Sequence, residues 1–350
     1  MKKKLLLILS PLIFALIVFI VLLTFMTITD YNPKLNLDLN INQVAENEVS
    51  DEISVMTWNL GFAGLGKDSD FFMDGGEDVN PTREVFTTNM EDIIDTLKKN
   101  KVDIVFLQEV DRNSKRSYKT DMFEKISSEV FTQYSSSFAT NYKVPYVFIP
   151  FPPIGKVHSG IATFTTFEMS SSKRIGFDIN YSWPTRVLHL DRCLNVSRHP
   201  IQGSDKELVL INLHLSAYDD GGLRAEQLKV LKELITTEYD NGNYVVAGGD
   251  FNQQFPTIDN SKYPVVYPDN YLPNTIADDY LEADWNYAVS EDIPTYRLLN
   301  EVYNPETSQV GVIDGFITSP NIEITFVENL DLGFANSDHN PVVTTLRLKK

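Results

Sequence analysis

The stretch VVAGGDFN, residues 245–252, constrains the rest of the chain more than any other. It opens on β-branched apolar residues, as a buried strand does. Two glycines follow, then Asp250 and Asn252 with Phe251 between them. Residues two apart on an extended chain point the same way, so a carboxylate and an amide emerge together at a strand end. Gly248 and Gly249 clear side chains from a place where backbone passes close to another group. Such a pair suits gripping a water and a phosphate oxygen. Taken alone, it equally suits a plain Asp/Asn turn.

The pattern recurs along the chain. ISVMTWNL (53–60) delivers Asn59, the apolar run 102–107 leads to Glu109, and LVLINLHL (208–215) carries His214. The run 312–318 carries Asp314, and SDHN (337–340) sets Asp338 and His339 just ahead of the strand 341–348. Each residue has an ordinary explanation by itself: a turn cap, a surface charge, a hydrogen-bonded core histidine. Their recurrence at strand ends is harder to assign to chance, because strand ends of layered α/β folds converge on one rim. Two helices separate the strands. Met90, Ile93, Ile94 and Leu97 follow a helix start at Asn80-Pro81, and Leu228, Leu231, Leu234 and Ile235 share a face of 223–239. Strand, helix and strand in this order make crossover units. The loops 61–81, 142–153 and 258–301 are irregular, and the last is an acidic insertion expected to cover part of the rim.

Lys2, Lys3 and Lys4 precede an uncharged run of 25 residues, 5–29. As a helix at roughly 1.5 Å per residue it spans about 37 Å, enough to cross a bilayer. A cleaved signal peptide is the other reading, but no small-x-small cleavage site precedes Asp30. The expected organisation is therefore a short cytoplasmic N-terminus (1–4), a transmembrane anchor (5–29), a polar linker (30–51) and one domain (52–350). The lysines place that domain outside the cytoplasm, on a single-pass protein of the cell membrane. Cys193 is the lone cysteine, so the domain holds itself together without an internal disulfide. Basic and acidic groups balance within residues 1–50, so the net charge of −18 belongs to the domain. Such a surface repels polyanions unless a local basic patch or metal ions offset it.

TWNL (57–60), LQEVD (107–111), NLHLS (212–216), GGDFN (248–252), IDGF (313–316) and SDHNPV (337–342) together resemble the endonuclease/exonuclease/phosphatase superfamily, in the family's order. That superfamily holds pancreatic-type deoxyribonucleases, abasic-site endonucleases, neutral sphingomyelinases and inositol-polyphosphate 5-phosphatases. The resemblance covers residues 53–348 and implies an α/β fold, a four-layer sandwich of two packed mixed β-sheets with helices outside. It implies that Glu109, with Asn59 and Asp338, holds a divalent metal, Mg²⁺ or alternatively Mn²⁺. It implies that Asp250 orients or deprotonates the attacking water and that Asn252 and His214 hydrogen-bond the phosphate. Asp314 and His339 resemble a carboxylate–imidazole pair. Arg192 resembles an arginine near the phosphate in nuclease members, though a surface ion pair serves it equally. Tyr142 or Tyr146 resembles the tyrosine that some members place at the site.

The expectation is a metal-dependent phosphoester hydrolase, acting on a phosphodiester, anchored to the membrane by its N-terminal helix and without a protein partner. A surface nuclease and a non-enzymatic binder of phosphorylated ligands are the alternatives. Tyr142, Tyr146, Phe148 and Phe151 interleave with prolines in an apolar lip suited to a lipid. A lipid head group is therefore expected as substrate ahead of nucleic acid.

Overall fold

The structure, a computed structural model, describes residues 2–178, 181–218 and 222–349. The N-terminal half contains α1 (Lys2–Ile28), β1 (Asn36–Asp38), β2 (Ile41–Asn42), β3 (Glu52–Asn59), α2 (Arg83–Lys99), β4 (Ile104–Asp111), α3 (Met122–Glu129), β5 (Ser135–Val147), β6 (Gly155–Thr165) and β7 (Ser171–Gly176). The rest contains β8 (Cys193–Pro200), β9 (Glu207–His214), α4 (Gly222–Asp240), β10 (Tyr244–Asp250), β11 (Asn286–Ala288), β12 (Tyr296–Arg297), β13 (Val310–Gly311), β14 (Asp314–Thr318), β15 (Ile322–Asn329) and β16 (Val342–Leu348).

One sheet runs β15-β16-β3-β4-β6-β5-β2 and the other β1-β7-β8-β9-β10-β14-β11. Each has one parallel pair, β3 with β4 and β9 with β10, among antiparallel neighbours. A parallel pair needs a crossover, and α2 and α4 supply them. Alternation along the strands explains the layers. Ile53, Val55 and Phe106 of one sheet meet Leu208, Leu210, Val246 and Phe316 of the other. The opposite faces take the helices. Met56, Trp58 and Leu107 pack with Phe86, Met90 and Ile93 of α2, and Val209, Ile211 and Leu213 pack with Leu228, Leu231 and Ile235 of α4. This is the four-layer sandwich of two packed mixed sheets that the sequence leads one to expect.

Two local expectations are corrected. Helix α2 is capped by Thr82, whose hydroxyl accepts from the Val85 amide at 3.3 Å. Asn80 does not cap it, and its amide instead reaches the Pro153 carbonyl. Residues 36–51 do not hang as a tether. β1 pairs with β7 and β2 with β5, so the segment covers an edge of each sheet. Val49 is fully buried between the sheets and its amide donates to Pro200. An Asn-rich sequence gives no core-facing pattern here, because the segment attaches mainly through backbone groups.

In α1, residues Ser10–Ile28 have a mean hydropathy of 2.8, long and apolar enough to cross a membrane or to serve as a signal sequence. The end of the helix is docked on the domain. Met26 is buried against Val144, Val147, Val157 and Val187, and Trp183 donates its indole N–H to Thr27 at 3.1 Å. Arg186 pairs with Asp30 at 2.6 Å.

Candidate active site

The carboxyl ends of β3, β4, β9 and β10 open on one rim of the sandwich. The starts of β14 and of the β16 approach reach the same rim because those strands run antiparallel: Asp314 stands in register with Asp250. A cavity of about 520 Å³ lies there, lined by Asn59, Glu109, Tyr142, Arg192, His214, Asp250, Asn252, Asp338 and His339 among others. Asp314 lies directly behind, its carboxylate 2.8 Å from His339 Nδ1. Ten of the residues singled out in the sequence are thus brought together; Tyr146, the alternative to Tyr142, is not among the lining residues and packs on Phe148 instead.

Local backbone explains how. The pairing of β4 with β6 slips between Leu107 and Val110, and Glu109 sits in this bulge at φ +53°. A bulge re-aims a side chain, and here it turns Glu109 into the cavity. Its carboxylate makes no hydrogen bond or ion pair among the described residues. Gly249, at φ +146°, passes so close to β9 that a Cβ there would lie 2.0 Å from the Leu213 carbonyl. That approach lets His214 and Asp250 face each other, with Nε2 and Oδ2 3.3 Å apart.

Asp250 is the hub. Its Oδ2 accepts from Asn59 Nδ2 at 3.0 Å and lies 3.8 Å from His339 Nε2, while its Oδ1 accepts from the Asn252 amide at 2.8 Å. Burial, with the nearby Asp314 charge, pushes its carboxyl up to about 6. Burial also pushes Asp338 up to about 7, with His339 opposing and Glu109 adding to the rise. Burial works against a charge on His339, but Asp314, Asp338 and Asp250 outweigh it and hold the imidazole well above its usual range. His214 goes the other way, lowered by burial and by Arg192 and His339, so it is neutral. Its Nδ1 is buried without a partner.

The remaining two expected residues are engaged with backbone. Arg192 donates to the His214 carbonyl at 3.1 Å, which fixes the strand end rather than a surface ion pair. Tyr142 donates to the Leu188 carbonyl at 3.1 Å, and burial raises its phenol to about 12. Several cavity residues gave no motif. Tyr271 donates to Asn252 Oδ1 at 2.9 Å and so orients that amide. Arg116, paired with Asp111 and stacked on Phe62, lies near Glu109. Arg297 clamps the loop 65–69 by donating to the carbonyls of Gly66 and Ser69. Tyr271 and Arg116 lie in irregular segments and Arg297 in a two-residue strand, where spacing carries no signal.

Two sets of groups have the chemistry to hold a cation. Ligand atoms of Asp250, Asp314 and His339 lie within 4.8 Å of one another. The short His339–Asp314 hydrogen bond already commits two of them to each other. Glu109 and Asp338, with the Asn59 amide oxygen, instead offer hard oxygen donors, and the half-buried Glu109 carboxylate has no hydrogen-bond or ion-pair partner among the described residues. Oxygen ligands few in number suit Mg²⁺.

A two-sheet α/β sandwich with carboxylates, imidazoles and amides gathered at its central strand ends defines a recognisable class. The chain belongs to the Endonuclease/Exonuclease/phosphatase family, whose family model matches residues 56–339. That family includes phosphodiesterases, nucleases and phosphatases. No curated protein matches the sequence. Among solved structures, the endonuclease/exonuclease/phosphatase from Beutenbergia cavernae is similar at 17% identity and a TM-score of 0.56, over 86% of this chain and 72% of that one. TDP2 from C. elegans is similar at 16% identity and 0.53, over 86% and 77%. The human Nocturnin catalytic domain, with bound sulfate, is similar at 16% identity and 0.54, over 89% and 97%. At these identities the likeness establishes the fold alone.

Proposed function

We propose that the protein is a metal-dependent phosphodiester hydrolase, held at the membrane by α1 with its domain outside the cytoplasm, and that its substrate is a lipid phosphodiester. The observation that carries the hydrolase reading is the Asp250 hub, with a neutral His214 and a charged, Asp314-bound His339 against it. Glu109 and Asp338, with Asn59, would hold Mg²⁺ or Mn²⁺, which when bound would offset charge on a phosphoryl oxygen and on the leaving oxygen. Asp250 takes the proton of the attacking water, whose oxygen forms the new P–O bond as the ester P–O bond breaks. His339 donates from Nε2 to a phosphoryl oxygen as negative charge builds. Asp314 accepts from Nδ1, which orients the ring and stabilises its charge. Asn252 has one amide hydrogen to offer besides the one given to Leu215.

The lipid reading is supported by the cavity wall. Phe62, Leu65, Val147, Ile149, Ile154 and Leu188 face the charged floor, and such a surface suits an apolar neighbour of the phosphate. A domain carrying all of the −18 charge favours it over duplex DNA. The test is a screen of the full-length protein in detergent with Mg²⁺ against sphingomyelin, phosphatidylcholine, bis(4-nitrophenyl) phosphate and plasmid DNA. Head-group release that EDTA abolishes is expected. Plasmid nicking without head-group release would make the protein a surface nuclease, and binding without turnover of any of them would leave a phospho-ligand binder.

A further inference from the structure

The wall between the cavity and the docked end of α1 is one side chain thick. Tyr142, Val147, Ile154 and Leu188 line the cavity, and the same residues belong to the cluster that buries Met26. A helix that leaves a membrane at residues 26–30 therefore brings the bilayer surface to the level of this wall. Beside it, the tip of the β5–β6 hairpin presents apolar side chains to solvent. Phe151 is 94% exposed, Ile149 70% and Trp183, next to α1, 57%. Nothing among the described residues covers them, and a patch of this kind marks an interaction surface.

The hairpin's own charges differ from those of the rest of the domain. From residue 139 to 167 the only charged side chains are Lys143 and Lys156. In the adjoining segment 112–119, Arg112 and Arg116 are paired with Asp121 and Asp111, which leaves Lys115 and Lys119, while the acidic loop 70–80 reaches the other side of the tip through Asn80. Lys115 reaches the tip, donating to the Pro153 carbonyl at 2.7 Å. An exposed apolar tip with Lys115 beside it, next to a helix able to span a membrane, suits the interfacial layer of a bilayer.

We infer that α1 and the 146–153 hairpin tip seat the domain on the outer face of the bilayer at two points, with Phe151 in the acyl layer and the cavity opening at head-group level. The inference rests on the anchored reading above and adds a fixed orientation to it. The pairing of residues 36–51 with both sheets and the Asp30–Arg186 bridge hold α1 to the domain, so the site does not swing on a tether.

The experiment labels the full-length protein with a nitroxide at Phe151→Cys, Leu16→Cys or Phe326→Cys. Vesicles of phosphatidylcholine and phosphatidylglycerol then hold the protein while accessibility to oxygen and to an aqueous nickel chelate is read. Cys193 is buried, with a thiol raised to about 11, and leaves the labelling selective. Leu16 lies on α1, and Phe326, 47% exposed on β15, serves as the water control. The expected result is lipid-like accessibility at 16 and 151 and water-like accessibility at 326. Lipid at 16 with water at 151 overturns the two-point seat and leaves the anchor standing; water at 16 overturns both. In a second arm, Phe151→Asp is expected to keep its rate on bis(4-nitrophenyl) phosphate within twofold and to lose at least tenfold on vesicle lipid. An equal loss on both substrates, or none on vesicles, also overturns the seat. Lack of turnover by the unaltered protein removes the hydrolase reading without touching the depth measurement.

Discussion

Asp250 collects donors on both oxygens, and this decides what its replacement does. Asn at 250 keeps the shape and loses the base, so Asp250→Asn should lower kcat by about 10²–10⁴-fold with little change in Tm. His339→Ala should cost a similar factor, and Asp314→Asn less, since it acts through the imidazole. Rates within a few-fold of normal for His339→Ala would remove it from the mechanism. Glu109→Gln should raise the Mg²⁺ concentration for half-maximal rate, measured by metal titration, before it lowers the saturated rate. These residues were legible because each abuts a strand end whose apolar run announces it. Tyr271 and Arg116 were not. They reach the cavity from irregular segments, and only folding brings Tyr271 against Asn252, 19 positions away. Nor does sequence tell that Arg192 and Tyr142 spend hydrogen bonds on carbonyls.

At the scale of elements, the two crossover units were readable from strand–helix–strand order, because helical and extended periodicities differ. The β4 bulge was not, since a bulge is a property of pairing and a single strand holds no record of its partner's register. The edge segment 36–51 escaped notice for the same reason. Its removal supplies a test: protein starting at residue 51 loses β1, β2 and Val49, and leaves the edges of β5 and β7 open. It should unfold at lower urea than protein starting at residue 31 and aggregate more readily, as followed by light scattering. Equal urea midpoints would mean that these pairings contribute nothing. Gly249→Ala should destabilise as well, by about 1–3 kcal/mol from backbone strain alone, since a Cβ has no room against β9.

For the whole molecule, acid should weaken the fold from a place far from the cavity. His199 is fully buried, bonded to Ser197 and to the Glu168 carbonyl, and burial pulls it down to about 4 from 6.5. Between those values the unfolded chain takes up a proton that the folded one refuses. Stability from this group is thus complete above pH 6.5, falls as pH drops toward 4, and is lost below it. The loss is about 3 kcal/mol at about 1.4 kcal/mol per unit. Urea midpoints at pH 7 and 4.5 should separate more for the unaltered protein than for His199→Gln; an equal separation would clear His199 of any part in acid sensitivity. The sandwich carries another consequence, in the order of synthesis. The rim takes its groups from positions 59 to 339, and β16 inserts between β15 and β3. No partial chain can assemble the rim, because β3 has only β4 beside it until β16 arrives, and Asp338 and His339 come just before that last strand. In a chain threaded unfolded across a membrane, the assembled rim therefore first exists on the far side, a latency that requires no inhibitory segment.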